Sequence, residues 1–390
     1  MDLPKQPAFF TLFLLLSFAS VNAVIFTPAL PNISIFFSVS SDQAQHLVVY
    51  FLIGYTLGQL LYSPLANRFG RKPALYAGIS LQILSCLICI LAGHLYNFYL
   101  LLVGAFLLAL GSGVGLKMTY TLVSECYSAK IAGEKISYLI LSFAIMPAAS
   151  VALGGFLNQY FNWVSCFYAA ALYGLILLIF SFKLPETLVT LNLNALKLRP
   201  LLTGYLTQFK NPQLVAAGLL VGCCSSFVYL FSALSPFIAI NIFHINSAQY
   251  GLANSLPLIG LILGSLTSAR ISQYFSIKTI VLFGIFCGAV GVMLMLIMVL
   301  LKLSVIFTVF LPMIIIYFGI CFVIANASTL ALNKATDKSH GSAVLNFLNM
   351  GLATVFVLGL SYFPIKTIIL PSAYFFILVL MLILYFPVRK

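Results

Sequence analysis

The residues able to do chemistry in this chain are few and badly placed for catalysis. Its six carboxylates are Asp2, Asp42, Glu125, Glu134, Glu186 and Asp337, and its four histidines are His46, His94, His244 and His340. All ten fall between long apolar runs or at their ends, so none pairs with another in an apolar interior. There is no nucleophile–base pair, no phosphate-cradling loop and no metal-ligand spacing, so neither an enzyme, a metal nor a cofactor is expected. The eight cysteines lie mostly inside apolar runs. "CLIC" at 86–89 has redox spacing, but it sits in a hydrophobic stretch rather than a βαβ unit, and reads as small buried hydrophobes.

Lys117 is the exception, a charge inside an apolar run. Eight residues separate it from Glu125, ~12 Å along a helix. An ionisable group at such depth is costly and marks a functional site, unless it snorkels to the interface or pairs with Glu125. If it faces a cavity, its natural partner is an anionic group on a ligand. Two polar stripes at i, i+4, i+7 spacing accompany it: Tyr55, Gln59 and Tyr62, then Ser225, Tyr229 and Ser232. Asn22, Asn254, Asn326, Asn346 and Asn349 are single polar groups in apolar surroundings. Each of these residues either lines a cavity or hydrogen-bonds a neighbouring helix. Gly54 and Gly58 read as helix-packing positions.

The elements that must position these groups are membrane helices. Only 6% of the residues are charged, 63% are hydrophobic, and the mean hydropathy is +1.14. A soluble domain carries roughly 25% charged residues. Twelve runs reach the ~20 residues a membrane helix needs: about 8–37, 44–66, 74–94, 97–124, 136–157, 163–183, 213–240, 248–269, 278–300, 304–331, 342–361 and 368–387. They are continuous rather than alternating, which excludes a transmembrane β-barrel. The start, Lys5 followed by "FFTLFLLLSFAS" and "VNA", imitates a secretory signal. Its apolar run continues past Ala23, so a retained first helix is expected.

Basic residues orient the spans. With a cytoplasmic N-terminus, sixteen of the nineteen Lys and Arg face inside, among them Lys5, Arg68, Arg71, Lys72, Lys130, Arg270, Lys334 and Lys390. Lys302 and Lys366 fall outside. Both termini are then cytoplasmic. The net charge of +13 therefore belongs to membrane loops. No run of four basic residues occurs, so nucleic acid is not a partner. The expected organisation is a bundle of six helices over 1–183, a cytoplasmic linker over 184–212 with an amphipathic piece near 198–210, and a second bundle over 213–390. The halves echo each other at an offset of about two hundred residues, Tyr50…Arg68 against Tyr250…Arg270 and "TPALP" against "LSPF". Such repeats place a substrate site near midplane between the halves.

"GQLLYSPLANRFGRKP" at 58–73 ends the second span, reverses and opens the third. Gly70 permits the reversal and Pro73 suits a first helical turn. Arg68, Arg71 and Lys72 hold the turn on the positive side, and Glu125 is the nearest plausible carboxylate. This stretch resembles the signature loop of the major facilitator superfamily, in the wording of its Bcr/CflA-like drug:proton antiporter branch. "TPALP" at 27–31, "LALGSG" at 108–113, "MPAASVALGG" at 146–155 with Pro147, Gly154 and Gly155, "LPETL" at 184–188 and "FSALSPFIAINIF" at 231–243 extend the likeness. The resemblance implies an all-α membrane fold of two rocking six-helix bundles, export of small organic molecules, and a loop at 63–72 that latches the outward-facing state.

The chain departs from that pattern where charge matters. Ser63 and Asn67 stand where the loop usually has Gly and Asp, so Asn67 can hydrogen-bond but cannot form a charged latch. Val24 replaces an acid of the first span; Ala105 and Leu108 replace an Arg and a Gln of the fourth; Val151 replaces a second proline of the fifth. A proton gradient is the branch's energy source, yet its usual coupling acids are missing. The expected activity is export of a neutral or anionic organic molecule, drug-like or a metabolite such as a carboxylate siderophore. The alternative is an importer of a nutrient or siderophore with eroded antiporter motifs. A monomer in a bacterial inner membrane is expected.

Overall fold

The computed structural model describes all residues except 1–5, 140, 189, 194, 334–337 and 390; Asp2, Lys5, Lys334, Asp337 and Lys390 thus lie outside the described residues. The first six spans are built from nine helices. The first span is α1 (Phe9–Val24) and α2 (Leu30–Phe36), with a tight turn at Thr27–Ala29 around Pro28 between them. Next come α3 (Ser41–Phe69), α4 (Arg71–His94), and the fourth span, α5 (Phe98–Ser112) with α6 (Val114–Cys126). The fifth span is α7 (Ala129–Leu139) running into α8 (Leu141–Tyr160), and the sixth is α9 (Ser165–Ser181). The linker carries α10 (Leu198–Phe209).

The second six follow as α11 (Pro212–Phe237), α12 (Ser247–Ala253) with α13 (Leu256–Ile271), α14 (Ile277–Leu300), α15 (Leu311–Asn333), α16 (Lys338–Leu360) and α17 (Ile369–Arg389). The eighth span, expected to be continuous, is broken at Asn254–Ser255 ahead of Pro257. Among the described residues, eleven of these stretches are long and apolar enough to span a bilayer, and α9 is a shorter apolar helix. A helix satisfies its own backbone, which hydrocarbon requires. Helix starts are written in the sequence: capping boxes at Ser40/Gln43 and Asn246/Gln249, side-chain caps at Asn97, Asn211 and Ser276. Apolar side chains that point out of the bundles, such as Leu84, Leu87 and Leu91 on α4 and Phe376, Val379 and Ile383 on α17, face lipid.

The two sets of six meet along α3 against α16 and along α8 against α12. The outer end of this junction is shut. Gly251 on α12 lies so close to α8 that a Cβ there would stand 2.9 Å from the Val151 carbonyl oxygen, and a Cβ on Gly155 would collide with the Ser247 carbonyl oxygen. Asn158 donates from Nδ2 to Ser247 Oγ at 2.9 Å and accepts from Asn32 Nδ2 at 3.2 Å. The Ser247 amide donates to Gln159 Oε1 at 3.3 Å. On the other flank His46 Nε2 and Ser361 Oγ are 3.2 Å apart.

Candidate functional site: a cytoplasmic turn and a central cavity

At the turn between α3 and α4, Gly70 adopts φ +109, a conformation that side chains disfavour, and any Cβ would also lie 2.8 Å from Glu186 Oε2. The positive φ is what requires glycine here. Arg71 is 9% exposed and spreads its guanidinium over three acceptors. NH2 and Nε reach Glu125 at 2.7 and 3.4 Å, and NH1 donates to Asn67 Oδ1 at 2.7 Å. This is the only ion pair among the described residues. Asn67 thus serves Arg71 as a neutral acceptor where a carboxylate would have added charge.

The "LPETL" stretch completes the turn. The Glu186 carboxylate accepts from the backbone amides of Arg71 and Lys72, 3.0 Å each, and from that of Leu188 at 3.0 Å. It thereby caps the N-terminus of α4, where a negative charge is favoured. Desolvation alone would raise this carboxyl, but the amides of Lys72, Leu188, Arg71 and Thr187 outweigh it and hold it below its ordinary value. Thr187 hydrogen-bonds Glu125, the Asn192 amide donates to Asn67 O at 3.0 Å, and Lys72 Nζ donates to Phe182 O at 3.2 Å. Arg68 does not join Arg71 on Glu125; it donates to the Leu193 carbonyl instead. Among the described residues, each of the partners named above belongs to the first bundle or the linker after it. Arg270, the repeat counterpart of Arg68, lies exposed in the last turn of α13.

A group of polar side chains gathers where α3, α6 and α11 come together. Tyr55, 5% exposed, lies within electrostatic reach of Tyr229 across the junction and of Tyr120 on α6. Tyr229 in turn neighbours Tyr317 on α15. Gln59, one turn from Tyr55, is 1% exposed and lies against the Tyr55 side chain. Asn349 Oδ1 on α16 is buried and unpaired. Lys117 Nζ reaches Ser342 Oγ at 3.5 Å, a contact between the two bundles. Tyr120, despite its inward position, is 38% exposed, and Ser124 is exposed one turn further toward the cytoplasm. With Lys117 and Thr121 they form a polar stripe on α6, opposite the buried Met118, Thr119, Leu122 and Val123. The junction is thus closed at its outer end, while the stripe on α6 stays partly exposed.

The other residues singled out in the sequence divide by partner. Ser225 and Ser232 share the α11 stripe of Tyr229 and are nearly buried. Asn346 is half-buried on α16. Three pack or bond within their own bundle. Asn22 is fully buried inside the first bundle, where it donates to Phe18 O at 2.8 Å and accepts from Gln82 at 2.9 Å. Tyr62 packs in the first bundle's cytoplasmic core. Asn326 bonds Phe322 O at 2.8 Å and Ser268 at 3.4 Å within the second bundle. Polar groups in apolar helices satisfy themselves on the nearest helix, which is why a lone Asn indicates packing as readily as a cavity. Asn254 ends α12 at the break of the eighth span. Pro147 lies inside α8, and Gly154 packs against the Ile25 carbonyl. Glu186 and the α6 stripe were missed as site residues, although "LPETL" and the i, i+3, i+4, i+7 spacing of Lys117, Tyr120, Thr121 and Ser124 were readable.

These features define an all-helical membrane protein of twelve spans in two six-helix bundles that meet along one junction. The chain belongs to the Major Facilitator Superfamily, whose description it matches over residues 12–358. It is 25% identical over 250 residues to the "Bicyclomycin resistance protein homolog" of Haemophilus influenzae, covering 63% of this chain and 61% of that protein. It is 27% identical over 259 residues to the "Chloramphenicol resistance protein CraA" of Acinetobacter baumannii, covering 66% and 62%. The matched stretch thus spans about three-fifths of these relatives' length. In fold it resembles the xylose transporter XylE of E. coli in its inward open conformation, with a TM-score of 0.76 over 98% of this chain and 95% of that one, at 12% identity.

Proposed function

We propose that the chain is a secondary transporter that exports a small organic molecule, neutral or anionic, across a bacterial inner membrane by alternating access. The halves 1–183 and 213–390 move as bodies joined by the linker 184–212. What supports the reading is the set of side chains where the bundles meet: one amine, Lys117, beside Ser342, the tyrosines Tyr55, Tyr120 and Tyr229 near one another, and, among the described residues, no carboxylate paired with the amine. A cationic load would lack a counter-charge there. Bicyclomycin and chloramphenicol, in the names of the relatives, are uncharged organic compounds, and they favour a drug-like load over a siderophore.

Lys117→Gln tests this in proteoliposomes supplied with matched acidic and neutral compounds. A charge-assisted contact contributes ~1.5–3 kcal/mol, so transport affinity for the acidic compound should fall roughly tenfold to a hundredfold while the neutral one is retained. Equal loss for both would make Lys117 structural, and no loss for either would remove it from the site.

A further inference from the structure

Helix α10 has three distinct faces. At 100° per residue, Leu202, Leu206 and Phe209 fall within about 60° of one another, and they are 46%, 60% and 38% exposed. On one side of this stripe the helix packs on the protein. Tyr205 donates from its hydroxyl to Leu60 O on α3 at 3.3 Å and sets its ring against His340 on α16. Gln208 is buried, and Phe209 meets Phe347 on α16 edge-on at 6.0 Å. On the other side come exposed Arg199 and Lys210, then Thr203 and Thr207. The segment 187–212 holds Lys197, Arg199 and Lys210 and no acid at all.

A helix with a protein face, an apolar exposed face and a basic–polar face is built for the line where protein, bilayer and cytoplasm meet. We propose that α10 docks on the cytoplasmic leaflet, with Leu202, Leu206 and Phe209 at the headgroup–acyl boundary and Lys197, Arg199 and Lys210 on the phosphates of anionic phospholipids. Exposure and charge both fit an interfacial amphipathic helix rather than a surface for a soluble protein, because the apolar stripe borders the basic residues that a leaflet would neutralise. Since α10 touches α3 of one bundle and α16 of the other, the leaflet then holds the brace that spans the two on the cytoplasmic side.

The test uses the full chain in nanodiscs, of phosphatidylcholine alone or with phosphatidylglycerol added. Trp163, the single tryptophan, is 4% exposed near the outer side and supplies a constant background. Leu206→Trp should add emission that brominated lipid quenches and aqueous iodide does not, whereas Thr207→Trp, one residue round the helix, should show the reverse. Quenching of Leu206→Trp by brominated lipid should rise with phosphatidylglycerol, and replacing Lys197, Arg199 and Lys210 with Gln should weaken docking by about fivefold per charge removed. Iodide quenching of Leu206→Trp in the anionic nanodiscs would overturn the proposal by placing the stripe in water or beneath a soluble partner. Docking indifferent to phosphatidylglycerol would refute its anionic-lipid half.

Discussion

The outer seal can be opened by one methyl group. In Gly251→Ala the new Cβ would stand 2.9 Å from Val151 O, 3.0 Å from Ala152 Cα and 3.3 Å from Ala152 O. All three are backbone atoms, so no rotamer change relieves the contact. Ordinary contact begins near ~3.5 Å, so α12 and α8 must part by about 0.5 Å or bend. Overpacking of this kind costs about 1–3 kcal/mol. The cost falls on the state with the outer side shut and is absent when the helices separate there. The ratio of outward-open to cytoplasm-open protein should therefore rise about fivefold to 150-fold. Spin labels at Phe161 and His244, both exposed in turns at the outer ends of the two bundles, read that ratio as a longer-distance population. Gly155→Ala, whose clash is tighter, should shift it further, and the pair should be less than additive because both act on one contact. If Gly251→Ala folds and gives the wild-type distance distribution, α8 and α12 do not form the seal described here.

At the turn, Arg71→Gln and Glu125→Gln should each lower thermal stability, and a double-mutant cycle should return a coupling of about 1–2 kcal/mol; strictly additive costs would mean the ion pair contributes nothing. Because the partners of Glu125 among the described residues lie within one bundle and its linker, Glu125→Gln should leave distances across the cytoplasmic gate unchanged, and a shift in them would show that the turn does latch the junction. Glu186→Gln should also destabilise, with a pH signature. The Glu186 carboxyl is held below its ordinary 4.5 in the folded chain, so its contribution is present above about that pH and fades as pH falls through the folded value. The melting-temperature gap between wild type and Glu186→Gln should hold at neutral pH and close on acidification, and a gap independent of pH would assign it to packing.

The fold was legible because a bilayer leaves few choices. Apolar length and the placement of basic residues suffice to count and orient helices, since every backbone group must be satisfied within its own segment. The breaks at Thr27–Ala29 and Asn254–Ser255 were not read, although Pro28 and Pro257 mark them, because hydropathy averages over a window and a helix break costs no apolar length. The site was less legible, and for a physical reason. An isolated polar residue in a membrane helix finds a partner wherever a neighbour allows: Asn22 found Gln82 and Asn326 found Ser268, both inside their own bundles. What sets the junction apart is a polar stripe on α6 that stays partly exposed beside buried neighbours, with Lys117 reaching Ser342 of the other bundle. Pairing is a property of three-dimensional neighbours and spacing cannot report it. The same holds for Glu186, an exposed acid in a linker, which became part of the turn only once the chain brought the end of the sixth span back against the start of the third. There it meets two free amides at the N-terminus of α4, and those amides are what make its negative charge useful. Substituting Asn67 for an acid fits the same logic: with Glu186 on the backbone and Glu125 on the guanidinium, a third carboxylate beside Arg71 would repel both, and a neutral acceptor completes the guanidinium without that repulsion.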